Sequence, residues 1–165
     1  METYTKIFET KGYNANRLLA SVFPGHFWYY IMPEDNSIQV CRLDIEDCIY
    51  AHREPNDFFQ YHKPIPCNGS TVKAFGFKQK EFCGDHAIYH DDSLSRMMEF
   101  IEDSNGFWYY TDGDGHNIEW IHQFQMLLHG IDGEPIEPID IEKMNHQKIV
   151  DELTDGTPMG GDLFF

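Results

Sequence analysis

Gly25-His26-Phe27-Trp28-Tyr29-Tyr30 is written a second time as Asn105-Gly106-Phe107-Trp108-Tyr109-Tyr110. The likeness runs past the quoted residues. Ile38-Gln39-Val40 follows the first copy at the distance at which Ile118-Glu119-Trp120 follows the second. Upstream, with a one-residue slip, Asn16-Arg17-Leu18-Leu19 answers Ser95-Arg96-Met97-Met98. The pattern reads as one helix-plus-hairpin unit used twice, over residues 14–43 and 93–123. The equal spacing from Phe27 to Ile38 and from Phe107 to Ile118 predicts hairpins of equal length.

Working outward from the first copy, Asn14 or Asn16 caps a short helix with Leu18, Leu19 and Val22, stopped by Pro24-Gly25. Phe27 to Ile31 reads as a strand, Pro33 to Asn36 as a turn and Ser37 to Leu43 as the return strand. Both faces of the outgoing strand are aromatic, which suits a central position covered on two sides. Asp44 to His52 fits a helix and a continued strand equally. Glu54 to Cys67, interrupted by Pro55, Pro64 and Pro66, reads as a structured loop. Thr71 to Phe82 alternates as a strand does. Asp91-Asp92-Ser93 caps an expected helix with Leu94, Met97, Met98 and Ile101 on one face, ended by Asn105-Gly106. After the second hairpin, turning at Asp112-Gly113-Asp114-Gly115, a further helix is expected to reach His129, and an amphipathic one spans Asp140 to Leu153. The fold class is therefore α+β: a single domain over residues 1–153 with a mostly antiparallel sheet covered by helices. Residues 154–165 read as a flexible acidic tail.

The chain's 165 residues suffice for one core that buries about 70% of the unfolded surface. No apolar run approaches the roughly 20 residues of a membrane span, and no basic-then-apolar leader opens the sequence. The expected location is the cytoplasm, that of the host cell if the chain is phage-encoded. Cys41, Cys48, Cys67 and Cys83 have no CxxC spacing, and would be reduced there. Twelve Lys and Arg against 28 Asp and Glu give a net charge of −16. Such a field repels nucleic acid and anionic membranes and attracts basic surfaces. Residues 130–165 alone hold nine acids and two bases.

Candidate chemistry is sparse. Cys83, His86 and His90, with Cys67 as a fourth ligand, form a weak metal candidate, because zinc spacing normally places ligand pairs on both sides of a loop. No metal or other cofactor is expected. Asp112-Gly113-Asp114-Gly115-His116-Asn117 fails the EF-hand template, which wants Gly sixth and an acid twelfth where Asn117 and Gln123 stand; it reads as a hairpin turn. His86 could pair with Asp85, and His122 with Asp112 or Asp114. No nucleophile elbow and no phosphate-binding glycine loop accompanies them, so catalysis is not expected. Trp28, Tyr30, Trp108 and Tyr110 are assigned to core packing rather than base stacking, since a stacking platform needs a cationic groove.

Met159-Gly160-Gly161-Asp162-Leu163-Phe164-Phe165 is acidic and closes on aromatics. It resembles the acidic, Phe-terminated tail of single-stranded-DNA-binding proteins, which implies recruitment of partner proteins. Asp162-Leu163-Phe164 also resembles the end of the sliding-clamp-binding peptide, although Gly160 and Gly161 replace its Gln-Leu start. The Gly-aromatic hairpin resembles that of ArdB-type antirestriction proteins.

The function expected is that of a non-enzymatic acidic protein, a phage or mobile-element inhibitor engaging a basic nucleic-acid-handling protein by imitating nucleic-acid charge. Direct nucleic-acid or membrane binding is not expected. The partner-binding residues are Glu99, Glu102 and Asp103 on the second helix, Asp112 and Asp114 in the adjacent turn, and Asp162, Leu163, Phe164 and Phe165 in the tail. The alternatives are a replication accessory protein acting through its Asp-Leu-Phe-Phe peptide, and a small metal-dependent enzyme.

Overall fold

The computed structural model describes the backbone of residues 18–84, 86–91 and 99–145, and the side chains of these other than 81–83 and 132. The first aromatic stretch is strand β1 (Phe27–Ile31), paired antiparallel with β2 (Ile38–Arg42) on one edge and β3 (His62–Pro64) on the other. Its central place explains its composition. Phe27, Trp28, Tyr29 and Ile31 are all buried, so successive side chains on opposite faces both meet apolar cover.

Helix α1 (Ile45–Arg53) resolves the ambiguous segment after β2. The Asp44 carboxylate accepts from the Asp47 N–H at 2.8 Å, and the Asp47 carboxylate accepts from the Asp44 N–H at 2.9 Å. This reciprocal cap satisfies donors that a strand would have had to pair elsewhere. Helix α2 (Pro55–Tyr61) and β3 occupy the stretch expected as loop. Pro55 opens α2 at its first turn, where a missing N–H costs nothing.

The strand expected over Thr71–Phe82 is also corrected. Asn68 caps helix α3 (Gly69–Val72), its Oδ1 accepting from the Ser70 and Thr71 N–H groups at 2.9 and 3.0 Å. A 3-10 turn, Lys73–Phe75, follows and ends at Gly76, whose φ of 90° suits glycine. Only then does β4 (Lys78–Cys83) begin. It opens an antiparallel meander with β5 (His86–His90), β6 (Glu99–Asp103), β7 (Gly106–Thr111) and β8 (Asp114–Asn117).

β6 overturns the C-terminal part of the helix expected from Leu94 to Ile101. Phe100 pairs with Tyr109 of β7 on one side and with Tyr89 of β5 on the other, so the backbone bonds outward to two neighbours. Period-two alternation then sends Phe100 and Glu102 inward together. Residues 92–98 of that expected helix and its cap lie outside the described residues. So do residues 1–17, the chain beyond Asn145 and the tail; before Asn145, Ile141–Met144 forms a 3-10 turn.

Both aromatic copies are strands within hairpins, but the hairpins differ in length. In the first, Ile31 pairs with Ile38 and the loop runs over residues 32–37. In the second, Thr111 pairs with Asp114, and only Asp112 and Gly113, with φ of 51° and 86°, turn the chain. Ile118 consequently bonds Phe107 through its N–H at 2.8 Å, whereas Ile38 never meets Phe27. Equal sequence spacing thus hides unequal register.

Helix α4 (Ile121–Asp132) joins the two sheets. Phe124 meets Phe100 and Phe107 of the five-stranded sheet, with ring centroids at 5.2 and 6.3 Å, and Phe75 and Phe77 before it at 5.7 and 5.1 Å. Toward β1, Gln125 accepts from the Phe27 N–H at 2.9 Å and donates to the Gly25 carbonyl at 3.3 Å. The two copies of the aromatic motif therefore flank one helix. No helix among the described residues is long and apolar enough to cross a membrane.

Candidate functional site

The three acids expected on one helical face, Glu99, Glu102 and Asp103, are separated by the strand geometry of β6. Asp112 and Asp114 are exposed at the β7–β8 turn. Glu99 is exposed near them, since it stands one position before Phe100 in β6 and Phe100 pairs with Tyr109 of β7. Its carboxylate accepts from Lys80 at 2.7 Å in an ion pair open to solvent. Asp103 sits at the other end of β6, about 13 Å from Glu99 at the rise of an extended chain. Its Oδ1 accepts from the Asn105 and Gly106 N–H groups at 2.8 and 3.1 Å and from the Trp108 indole at 3.1 Å, so it shapes the β6–β7 turn.

Glu102 is not a surface residue at all. It is 7% exposed, and its Oε2 accepts from the Gly69 N–H at the start of α3 at 2.6 Å. Its Oε1 lies 3.5 Å from the Tyr89 hydroxyl. Burial raises its pKa above the ordinary carboxyl range, against the opposing pull of the Gly69 and Tyr89 hydrogen bonds. Burial, then the Glu102 charge, pushes the Cys67 thiol and the Tyr89 phenol upward as well. A Cβ on Gly69 would come within 2.0 Å of the Tyr89 hydroxyl, so the close approach requires glycine. Glu102 ties the five-stranded sheet to α3. Its inward direction was readable only by taking Glu99–Asp103 with period two instead of the three-and-four spacing of Leu94, Met97, Met98 and Ile101.

The metal candidates do not converge. Cys67 is a buried thiol whose N–H donates to the Glu119 carbonyl. Cys83 and His86 are cross-strand partners at the β4–β5 turn, while His90 ends β5 opposite Lys78. Four residues of extended chain put about 13 Å between His86 and His90. Among the described residues there is no group of three or more His, Cys, Asp or Glu that could hold a metal ion.

His122 has partners other than Asp112 or Asp114. It is fully buried, stacked on Trp28 with ring centroids at 4.8 Å, and its Nε2 lies 3.0 Å from Ser21 Oγ. Ser21 Oγ donates its one proton to the Leu18 carbonyl at 2.8 Å, so His122 Nε2 is the donor of the pair. Burial, then nearby His26, holds the His122 pKa down to about 3. An imidazole that is protonated at Nε2 and this weakly basic does not activate the serine it donates to. Beside this pair, Phe23, Pro24, His26, Met126, His129 and Gly130 line an open cleft of about 630 Å³. Sequence reasoning missed the Ser21–His122 contact because 101 residues separate the pair.

The aromatic assignments divide. Trp28 is wholly buried, Tyr30 and Trp108 are half-buried, and Tyr110 is 46% exposed, so core packing describes Trp28 and not Tyr110. Asp85 and the tail residues Asp162, Leu163, Phe164 and Phe165 lie outside the described residues.

The fold and its surface define an acidic α+β protein with two antiparallel sheets joined through one helix. No protein-family model matches the chain, and neither a curated protein nor a solved structure matches it.

Proposed function

We propose that the chain is a non-enzymatic acidic binding protein, acting as a phage or mobile-element inhibitor that engages a basic, nucleic-acid-handling protein by imitating nucleic-acid charge. One observation supports this most. Among the acids whose side chains are described, Glu102 alone is buried and the others face solvent or the rim of the fold, in a chain whose net charge is −16. A surface field of that size raises the encounter rate with a cationic partner and repels nucleic acid itself.

The partner-binding acids are revised accordingly to Glu99, Asp112 and Asp114. Glu99 stands in β6, Asp114 two strands away in β8 and Asp112 in the β7–β8 turn, so they gather at one end of the five-stranded sheet. Strand alternation puts Glu99 and Asp114 on opposite sides of it. The exposed Lys80 partner does not remove Glu99 from this set, since such pairs contribute at most about 1 kcal/mol. Changing Glu99, Asp112 and Asp114 together to Lys should abolish binding to a basic partner, with circular dichroism confirming that the variant is folded, since Asp112 holds a positive φ and Glu99 pairs with Lys80. Binding by the wild-type chain should weaken steeply with salt, because surface charges are screened beyond about 8 Å at physiological ionic strength. Full binding by the triple variant would refute the assignment of these acids. A gel shift of duplex DNA by the chain itself would refute the charge-imitation reading.

A further inference from the structure

α1 carries side chains that the described fold leaves open. Ile45 is 67% exposed, Ile49 48% and Tyr50 40%. These are large apolar groups on a helix whose other side is seated in the core through Ala51, with Cys48 buried at the floor between the two sides. Ile45, Cys48, Ile49 and His52 stand at i, i+3, i+4 and i+7. They outline a shallow apolar depression of about 390 Å³, bounded by Arg53. Four residues at that spacing form the hole that receives one side chain of a facing helix.

The charge on the same helix identifies what fits. Its first turn is acidic, with Glu46 and Asp47, and its last turn is basic, with His52 and Arg53. An identical helix laid antiparallel places the acidic turn on the basic turn at both ends and opposes the two helix dipoles. A two-fold axis generates this contact from one patch, because the patch is complementary to itself.

We propose that α1 is a self-association surface, on which a second copy of the chain docks antiparallel with the two-fold axis near Ile49. Ile45 and Ile49 of each copy enter the other's depression, and Glu46 of each faces the His52–Arg53 turn of the other. A helix of nine residues is about 13 Å long, so this contact falls short of the roughly 1,200 Å² of a standard interface. The dimer is weak and reversible, and the −16 charge of each copy opposes it at low salt.

Sedimentation equilibrium of the full chain tests this, from micromolar to millimolar concentration, in salt sufficient to screen the net repulsion. The wild type should show a monomer–dimer equilibrium that Ile49→Asp abolishes. Glu46→Arg and Arg53→Glu should each weaken it about tenfold, since each turns two attractive contacts repulsive. The double variant E46R/R53E has the wild-type net charge and should restore association to within about threefold. Circular dichroism keeps the comparison to folded proteins, and if Ile49→Asp fails to fold, the charge exchange decides. A wild type that stays monomeric throughout overturns the proposal, whether the face is covered by the chain's own residues 1–17 or 146–165 or stays open. So does a dimer indifferent to Ile49→Asp. Single reversals that act in opposite directions, following net charge without rescue by the double exchange, overturn it equally.

Discussion

Replacing Glu102 separates a structural carboxylate from a recognition carboxylate. Glu102→Ala leaves the Gly69 N–H, now bonded at 2.6 Å, without its partner in a buried place. An orphaned buried donor costs about 1–3 kcal/mol. Near 2 kcal/mol, a chain of this length loses roughly 4–8 °C in melting temperature. Glu102→Lys is worse, because it points an ammonium at the amino end of α3 beside Cys67 and Tyr89. A buried, unpaired charge costs about 3–5 kcal/mol, a large share of the 5–15 kcal/mol that holds such a domain folded. Glu102→Gln keeps a carbonyl for Gly69 and removes the ionisation. The folded-state pKa of Glu102 is raised, so the unfolded chain releases this proton at lower pH than the folded chain does. Its contribution is therefore complete below the ordinary glutamate pKa and is lost as pH rises through the folded-state value. At neutral pH Glu102→Gln should accordingly match or exceed the wild type, with a flatter pH profile. Urea unfolding followed by tryptophan fluorescence, from the ordinary glutamate range to neutrality, reads all three variants. An unchanged urea midpoint for Glu102→Lys would refute the reasoning and return Glu102 to the surface.

His122 supplies a slope of the opposite sign. Its folded-state pKa lies near 3 against an ordinary 6.5, so only the unfolded chain takes up this proton between those values. Stability should fall as pH drops below 6.5, by up to about 1.4 kcal/mol per pH unit, and His122→Leu should flatten that slope in urea titrations. Phe124→Ala should cost about 3–5 kcal/mol, because one ring is shared by Phe75, Phe77, Phe100 and Phe107. Equilibrium unfolding checks it, and a loss below 1 kcal/mol would mean that α4 is not the junction of the sheets.

What the sequence disclosed depended on whether one periodicity dominated. The aromatic run Phe27–Ile31 was legible as a central strand because both faces are apolar, and β1 is buried between β2 and β3. The segment Asp44–His52 satisfied two patterns, and the reciprocal Asp44–Asp47 cap decided it as helix. At Thr71–Val72 the alternation was overridden by the Asn68 cap, whose bonds form only when the next turn is helical. At Glu99–Asp103 apolar residues at helical spacing concealed a strand held by pairing to distant β5 and β7, and with it the inward course of Glu102. The acidic character of the surface followed from composition alone. Which acids share a face did not, because that depends on the strand register. Ser21 and His122 were beyond reach for the same reason, since nothing local links the turn after Leu18 to α4.

The charge-imitation account is tested most directly by competition. The full chain is immobilised and loaded with host nucleic-acid-binding proteins that heparin retains. Short duplex DNA is then added at constant ionic strength. The account predicts that duplex releases the retained protein, that the Glu99, Asp112 and Asp114 to Lys variant retains none, and that the chain itself does not shift the duplex. Retention that duplex does not displace, and that the three reversals leave intact, would contradict it.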